Sequence, residues 1–332
     1  MNRYKLTILT DPMPWGRDFF YEGVRRIARG IRDYIQPNQH YYNHSKYRGH
    51  FAVTRSAVEG LQSIGASFNY NPRYPWQLAD TVVVLAGVRT LRQAIRLKQQ
   101  QCIKKLYAGP NIVVSSSDYN FIAGNPEIIK YIVNSDWTLK LYVADCPSLK
   151  DRIFAWAAGV DTKYWHPDST IQRNRILIFD KRREEDDPER TRSYAEYLRM
   201  LGWQVDVLVR CGTQGYTKDQ YRALLQKSCL MLGFTIGSES QGIAWAEAWS
   251  CDVPTLILRN TSNIYQGRSY HCSTAPYLTP QNGLFFDDLE NFKVQFAYWE
   301  INRKKFKPRT WTLENMSDEV CASILYNKVI EC

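Results

Sequence analysis

Several absences narrow the reading of this 332-residue sequence before any motif is considered. Its 8 cysteines form no C-x-x-C pair, and its 5 histidines show no metal-ligand spacing. The nearest approach, His40 with His44, lies in a tyrosine-rich stretch. Such usage describes a reduced, cytosolic protein with buried thiols and speaks against a disulfide framework or a zinc site. No apolar run approaches the ~20 residues that span a bilayer. Residues 1–10, MNRYKLTILT, lack the apolar core and small-residue cleavage site of a signal peptide and read as a first strand. There is no internal repeat and no low-complexity segment. A D-x-D between strand and loop is missing too, because Asp186-Asp187 and Asp287-Asp288 lack that context, so neither a metal nor another cofactor is expected.

What remains is globular. Hydrophobic residues make up 44% and charged residues 23%, which excludes wholesale disorder, and the length suits two domains. The charge is lopsided: residues 1–165 carry 22 Lys and Arg against 12 Asp and Glu, whereas residues 166–332 carry 21 of each. A basic first half suits an anionic partner such as a membrane surface, an acidic glycan or nucleic acid. Scattered charge for solubility is the competing explanation. Arg25, Arg26, Arg29 and Arg32 fall near one flank of a helix expected over Phe19–Ile35, where they would face an anionic membrane or simply water. The aromatics of Tyr41–Tyr47 with Phe68, Tyr70, Tyr74 and Trp76 would stack on sugars or bases, or fill a core.

Hydrophobic patterning alternates strand with helix. Strands are expected at Lys5–Thr10, Thr81–Leu85, Lys105–Ala108, Tyr131–Asn134 and Arg152–Ala157, with helices at Thr90–Cys102 and Asp136–Val143. The polar segment His166–Asn174 reads as a linker, after which the pattern restarts: strand Arg175–Phe179, helix Glu189–Leu201, strand Gln204–Leu208, helix Lys218–Lys227, strand Cys229–Phe234, helix Ile243–Ser250, strand Thr255–Leu258. Continuous apolar strands between helices indicate parallel sheets covered on both faces. The expected fold is α/β, with two Rossmann-like domains facing a cleft and ligands beyond the carboxyl ends of the strands.

One junction concentrates chemistry. After strand Cys229–Phe234 comes a loop with Gly237, Ser238, Ser240 and Gly242, and then the helix from Ile243. Small residues admit a ligand close to the backbone, and a helix N-terminus presents N–H groups and a positive dipole end, a phosphate-binding arrangement. Glu239 sits in the loop and Glu247 in the helix, where it shares a face with Ala244, Ala248 and Cys251. A glutamate among alanines is expensive to bury without hydrogen bonds, which points to ligand hydroxyls. Glutamates near a helix N-terminus are also simply stabilising, and spacing alone does not choose.

The stretch SESQGIAWAEAWSCDVPTLI, residues 238–257, resembles the E-x7-E signature of retaining GT-B glycosyltransferases, especially glycosyltransferase family 4 (group 1), whose members read roughly ESFG…EAMACGVPVI. IVNSDWTLKLYV, AAGVDTKYWHP, RILIFDKRR and KPRTWTLENMS resemble further segments of that family, and the similarity covers most of residues 75–332. The resemblance implies an N-terminal acceptor domain (1–165), a C-terminal nucleotide-sugar domain (166–308) and a closing segment (309–332) that packs back on the first. It implies transfer of a sugar from a UDP- or GDP-linked donor, with retention and without metal, to a glycan, lipid-linked or other acceptor. The setting would be polysaccharide biosynthesis in the cytoplasm, in peripheral contact with the inner face of a membrane. Glu247 would bind the ribose and Glu239 the donor sugar. Backbone near Ser240, Gln241, Gly242 and Ile243 would face the diphosphate, and Lys181 and Arg182 would neutralise it. Arg210 would lie where the base is received.

The first domain departs from the family twice. Its first loop, Pro12-Met13-Pro14-Trp15-Gly16-Arg17, has one glycine, Gly16, where the family is glycine-rich near the donor phosphate. Residues 51–165 hold no histidine, and the segment that should supply one reads Ser115-Ser116-Ser117-Asp118. Arg17 and Asp118 are the candidates for that position, although Asp118 would also serve as a turn cap. These departures favour an alternative, a sugar-nucleotide or glycan-binding protein without catalysis. A nucleic-acid partner is the least favoured reading.

Overall fold

The computed structural model describes residues 4–11, 49–211 and 215–331. The expected helix Phe19–Ile35 with its arginines, Gly16, Arg17, His40, His44 and Tyr41–Tyr47 lie outside the described residues. The chain divides into two compact units, one running to Gly159 and resuming at Cys321, the other Val160–Val320.

The first unit holds a six-stranded sheet of β1 (Leu6–Thr10), β2 (Phe68–Tyr70), β3 (Thr81–Ala86), β4 (Lys105–Asn111), β5 (Lys130–Val133) and β6 (Ile153–Ala155). The order is β2-β1-β3-β4-β5-β6 and every pairing is parallel. The β-branched run of β3 is buried along Thr81–Leu85 because helices cover the sheet. Helices α1 (Gly49–Ser63), α2 (Val88–Gln99) and α3 (Asp136–Asp145) accompany it. On α2, Leu91, Ala94 and Ile95 turn inward at i, i+3, i+4 while Arg89, Arg92 and Arg96 stay outside. Asp11, just past β1, accepts a hydrogen bond from Thr90 N at 3.2 Å and so anchors the start of α2. Neither α1 nor the three-residue β2 is among the expected elements. The indole of Trp156 donates to the Cys321 carbonyl at 2.8 Å and ties the last helical segment into this unit.

The second unit carries a parallel sheet of β7 (Arg175–Arg182), β8 (Gln204–Cys211), β9 (Ser228–Phe234), β10 (Thr255–Leu258) and, after an antiparallel hairpin of β11 (Ser262–Tyr265) and β12 (Arg268–His271), β13 (Gly283–Phe286). Its order is β13-β10-β9-β7-β8. Helices α4 (Arg192–Met200), α5 (Lys218–Lys227), α6 (Ile243–Ser250), α7 (Leu289–Asn302) and α8 (Pro308–Asn315) belong to it, and the unit boundary falls inside α9 (Asp318–Ile330). The polar stretch 166–174 is packed into this unit: Arg173 Nε donates to Ser228 O at 2.9 Å, and Arg222 lies 3.1 Å from His166 Nε2. The division therefore falls at Gly159/Val160, ahead of the stretch that polarity marked as a linker. An aromatic cluster of Tyr194, Phe234, Phe286, Phe292, Phe296 and Trp299 fills one side of the sheet.

Candidate functional site

The loop between β9 and α6, with Glu239 in it, leaves the carboxyl end of a central strand. Its shape is set by the β11–β12 hairpin beside it. Asn260 Nδ2 donates to Gly237 O at 2.8 Å, and Asn263 Nδ2 donates to Ser238 Oγ at 3.1 Å. Ser238 Oγ in turn lies 3.3 Å from Tyr270 Oη. Glu239 N donates to Ser273 O at 2.9 Å, which fixes the backbone where the carboxylate begins.

Gly242 closes the loop and opens α6. Its φ is +79°, and a Cβ there would fall 2.3 Å from Trp245 Cδ1, so both backbone and space demand glycine. The Trp245 indole donates to Thr274 O at 2.8 Å, locking the first turn of α6 against the segment after the hairpin. Tyr221 Oη on α5 donates to Ala244 O at 2.8 Å and holds the same turn from the other side.

The two glutamates occupy different surroundings. Glu247 is 6% exposed, close to Tyr221 and Cys251. Burial pushes the Cys251 thiol up to about 12, and the neighbouring Glu247 charge adds to the shift. Burial, the Tyr216 ring and Glu247 likewise raise the Tyr221 phenol. Glu239 is half-buried and meets Lys181, whose Nζ donates to Oε1 at 2.5 Å. Lys181 is near the end of β7 and pairs in register with Arg210 on the edge strand β8, so the two side chains project from one face of the sheet. Arg210 is exposed there.

Consecutive strand residues point to opposite faces, and Arg182 follows Lys181 onto the other side. Its Nη1 donates to Pro188 O at 2.6 Å and lies 3.4 Å from Asp180 Oδ2. Lys181 is thus the member of the expected pair that reaches Glu239. Among the residues expected to face a donor, Ser240 is exposed, Gln241 and Gly242 are buried, and Ile243 is half-buried at the helix start. In the first unit, Asp118 Oδ2 accepts from Val114 N at 3.0 Å and Ser115 N at 2.9 Å, the geometry of a local turn cap.

No protein-family model and no curated protein sequence matches the chain. Solved structures match over nearly its whole length. HepE of Anabaena in complex with UDP superposes with a TM-score of 0.56 at 10% identity, covering 98% of this chain and 99% of that one. The lipopolysaccharide outer core galactosyltransferase WaaB, in its apo form, gives 0.51 at 12% identity over 98% and 99%. The catalytic domain of starch synthase IV from Arabidopsis thaliana, bound to ADP and acarbose, gives 0.50 at 11% identity over 84% and 75%. The chain has the GT-B fold. Two parallel sheets, each in its own unit, are what that fold requires.

Part of what organises this GT-B site was not legible in the sequence. Asp180 is fully buried beneath Lys181 and accepts from Arg190 Nε at 2.7 Å. Arg190 also donates to Lys181 O at 2.8 Å and to Thr235 O at 3.3 Å, joining the ends of β7 and β9. Arg190 follows the acidic run 184–187, which reads as a solvated charge cluster. In the fold, Glu184, Glu185 and Asp187 are exposed, and Asp186 accepts from Arg183 N at 2.7 Å. Asn260, Asn263, Ser273 and Thr274 carry no motif at all. Among the described residues no group of acidic, histidine or cysteine side chains could hold a metal ion, and no helix is long and apolar enough to cross a membrane.

Proposed function

We propose that this chain is a glycosyltransferase that takes a sugar from a nucleotide-diphosphate donor, UDP- or GDP-linked, with retention at the anomeric carbon. The observation that carries the reading is the Lys181–Glu239 pair at 2.5 Å beside the N-terminus of α6, with Glu247 buried one turn further on. In the reaction the bond from the anomeric carbon to the diphosphate oxygen breaks, and a bond from that carbon to an acceptor oxygen forms. Nucleoside diphosphate leaves, and the acceptor's hydroxyl proton passes to the leaving phosphate. Charge developing on the phosphate is met by the Lys181 ammonium and by the positive end of α6, while Arg210 receives the base. Glu239 holds Lys181 in place and accepts from donor-sugar hydroxyls, while Glu247 accepts from the ribose. With those cations supplied by the protein, transfer proceeds in the presence of EDTA.

HepE bound to UDP makes UDP the first nucleotide to test. The acceptor is a glycan or a lipid-linked sugar, handled by the basic first half of the chain. Calorimetric titration with UDP decides the donor half of the proposal: the parent binds, and Glu247→Ala loses at least about tenfold, the scale of a charged hydrogen bond of ~1.5–3 kcal/mol. Equal binding by both proteins rejects the ribose role.

The capped Asp118 favours one second reading, a sugar-nucleotide-binding protein on the same fold without transfer. Saturable donor binding with no UDP release, with or without acceptors, identifies that case.

A further inference from the structure

Helix α7 is apolar on two opposite sides. Phe292, Phe296 and Trp299, at i, i+4, i+7, are buried in the aromatic cluster of the second unit. Half a turn round the helix, Val294, Ala297, Tyr298 and Ile301 form a second stripe at i, i+3, i+4, i+7, and every one of them is exposed. Ile301 is 84% exposed, Val294 64% and Tyr298 46%. One stripe is enough to dock a helix on its own sheet, so the second invites a cover. The adjoining surface adds to it. Trp203 packs on Phe296 and Trp299, which brings the end of α4 level with the C-terminal half of α7, and Met200 there is 83% exposed.

The residues around this stripe form a reversed pattern. Asp288 and Glu290 precede it, and Lys305 and Lys307 follow it in the turn beyond the helix. Turn a copy of α7 end for end about the midpoint between Ala297 and Tyr298. Val294 then lies opposite Ile301, and Glu290 falls level with Lys305 in the 3-10 turn that continues the helix. We propose that this face is a two-fold contact with a second copy of the chain, the two α7 helices packed antiparallel about that midpoint.

A two-fold contact requires a self-complementary patch, and this one is complementary in apolar residues and in charge only when the helices run in opposite directions. The small side chain of Ala297 at the centre allows close approach. Glu290 already bonds Lys293 within its own chain at 2.6 Å, and Lys305 of the other copy would approach the same carboxylate from the far end. An anionic bilayer would welcome the lysines but meet Asp288 and Glu290 at the opposite end, which makes it the poorer occupant. A stable interface buries roughly 800 Å² per partner, and a 14-residue helix is about 21 Å long and ~10 Å wide. The α7 face alone supplies only part of that area, so surface beyond the helix completes the contact.

Sedimentation velocity from low to high micromolar concentration tests this on the full chain, and the result is independent of whether the protein transfers sugar. The parent dimerises with rising concentration. Ile301→Asp and Val294→Asp each weaken the dimer by about tenfold or more, as loss of an interface anchor does. Both positions are exposed, so thermal unfolding of the monomer is unchanged. Glu290→Lys and Lys305→Glu each weaken association, and the double reversal restores it. A parent monomeric throughout, variants that dimerise as tightly as the parent, or a charge reversal that fails to restore association overturns the proposal. So does a monomer that sediments with phosphatidylserine-containing vesicles and loses them on Ile301→Asp.

Discussion

Lys181 Nζ donates to Glu239 Oε1 at 2.5 Å, joining the end of β7 to the loop after β9 across 58 residues of sequence. Both side chains are largely withdrawn from solvent, so the contact is screened less than a surface ion pair. The positive charge is thereby held beside the loop that leads into α6.

Removing that charge tests its role. Lys181→Ala lowers the turnover number by about 10²–10³-fold, the scale of one lost electrostatic stabiliser. Glu239→Gln also slows turnover, and the double variant loses less than the two single losses combined because the residues act as a unit. UDP release from a sugar donor is the measurement. Independent, fully additive losses would separate the two residues functionally.

Arg190 is expected to matter for stability more than its sequence surroundings suggest. Its guanidinium neutralises the fully buried Asp180. Arg190→Met leaves that carboxylate with Arg182 at 3.4 Å, so the loss stays below the ~3–5 kcal/mol of a buried charge left wholly unpaired. Asp180→Asn in the same chain recovers part of the loss. Urea midpoints at constant slope report both effects.

Gly242→Ala and Gly202→Ala separate steric cost from conformational cost. Both glycines have positive φ, +79° and +86°, but a Cβ at Gly202 meets nothing within 4 Å while one at Gly242 runs into Trp245. Gly202→Ala costs about 1–2 kcal/mol for the left-handed backbone alone. Gly242→Ala costs more and, by displacing the first turn of α6, weakens UDP binding. Thermal unfolding together with calorimetry distinguishes the two.

Cys251 supplies a pH signature. Its folded pKa is raised to about 12 from 9.0, so the thiol favours the folded state fully below about pH 9. That contribution is lost as pH rises from there towards 12, because the unfolded state releases the proton first. Cys251→Ala reduces the slope of stability against pH in that window. Alkylation at pH 8 modifies the exposed Cys102 of the native protein and spares Cys251 until unfolding. Rapid modification of Cys251 in the native state would contradict the burial.

Local patterning reached far into this fold. The expected helix Ile243–Ser250 and strand Thr255–Leu258 coincide with α6 and β10, and Lys218–Lys227 coincides with α5. Those segments have a strong period or are bounded by glycine and proline, signals carried by neighbouring residues. The same locality placed Glu239 in a loop and Glu247 on the helix that follows. It failed for α1, although Val53, Ala57 and Leu61 recur there every four residues on the buried side, and for β2 and the β11–β12 hairpin, whose short, exposed and polar strands carry no apolar period.

By itself the sequence determined the alternation of strand and helix, the restart of the pattern at Arg175 and the loop-helix junction with its two glutamates. Only the tertiary structure decided that Lys181 rather than Arg182 meets Glu239, that Arg190 pairs with the buried Asp180, and that the hairpin fixes the loop. It also set the start of the returning segment at Cys321, with residues 309–320 kept in the second unit. The reason is physical: a strand's period of two says that Lys181 and Arg182 point to opposite faces, but which face carries α6 depends on crossovers between strands far apart in the chain.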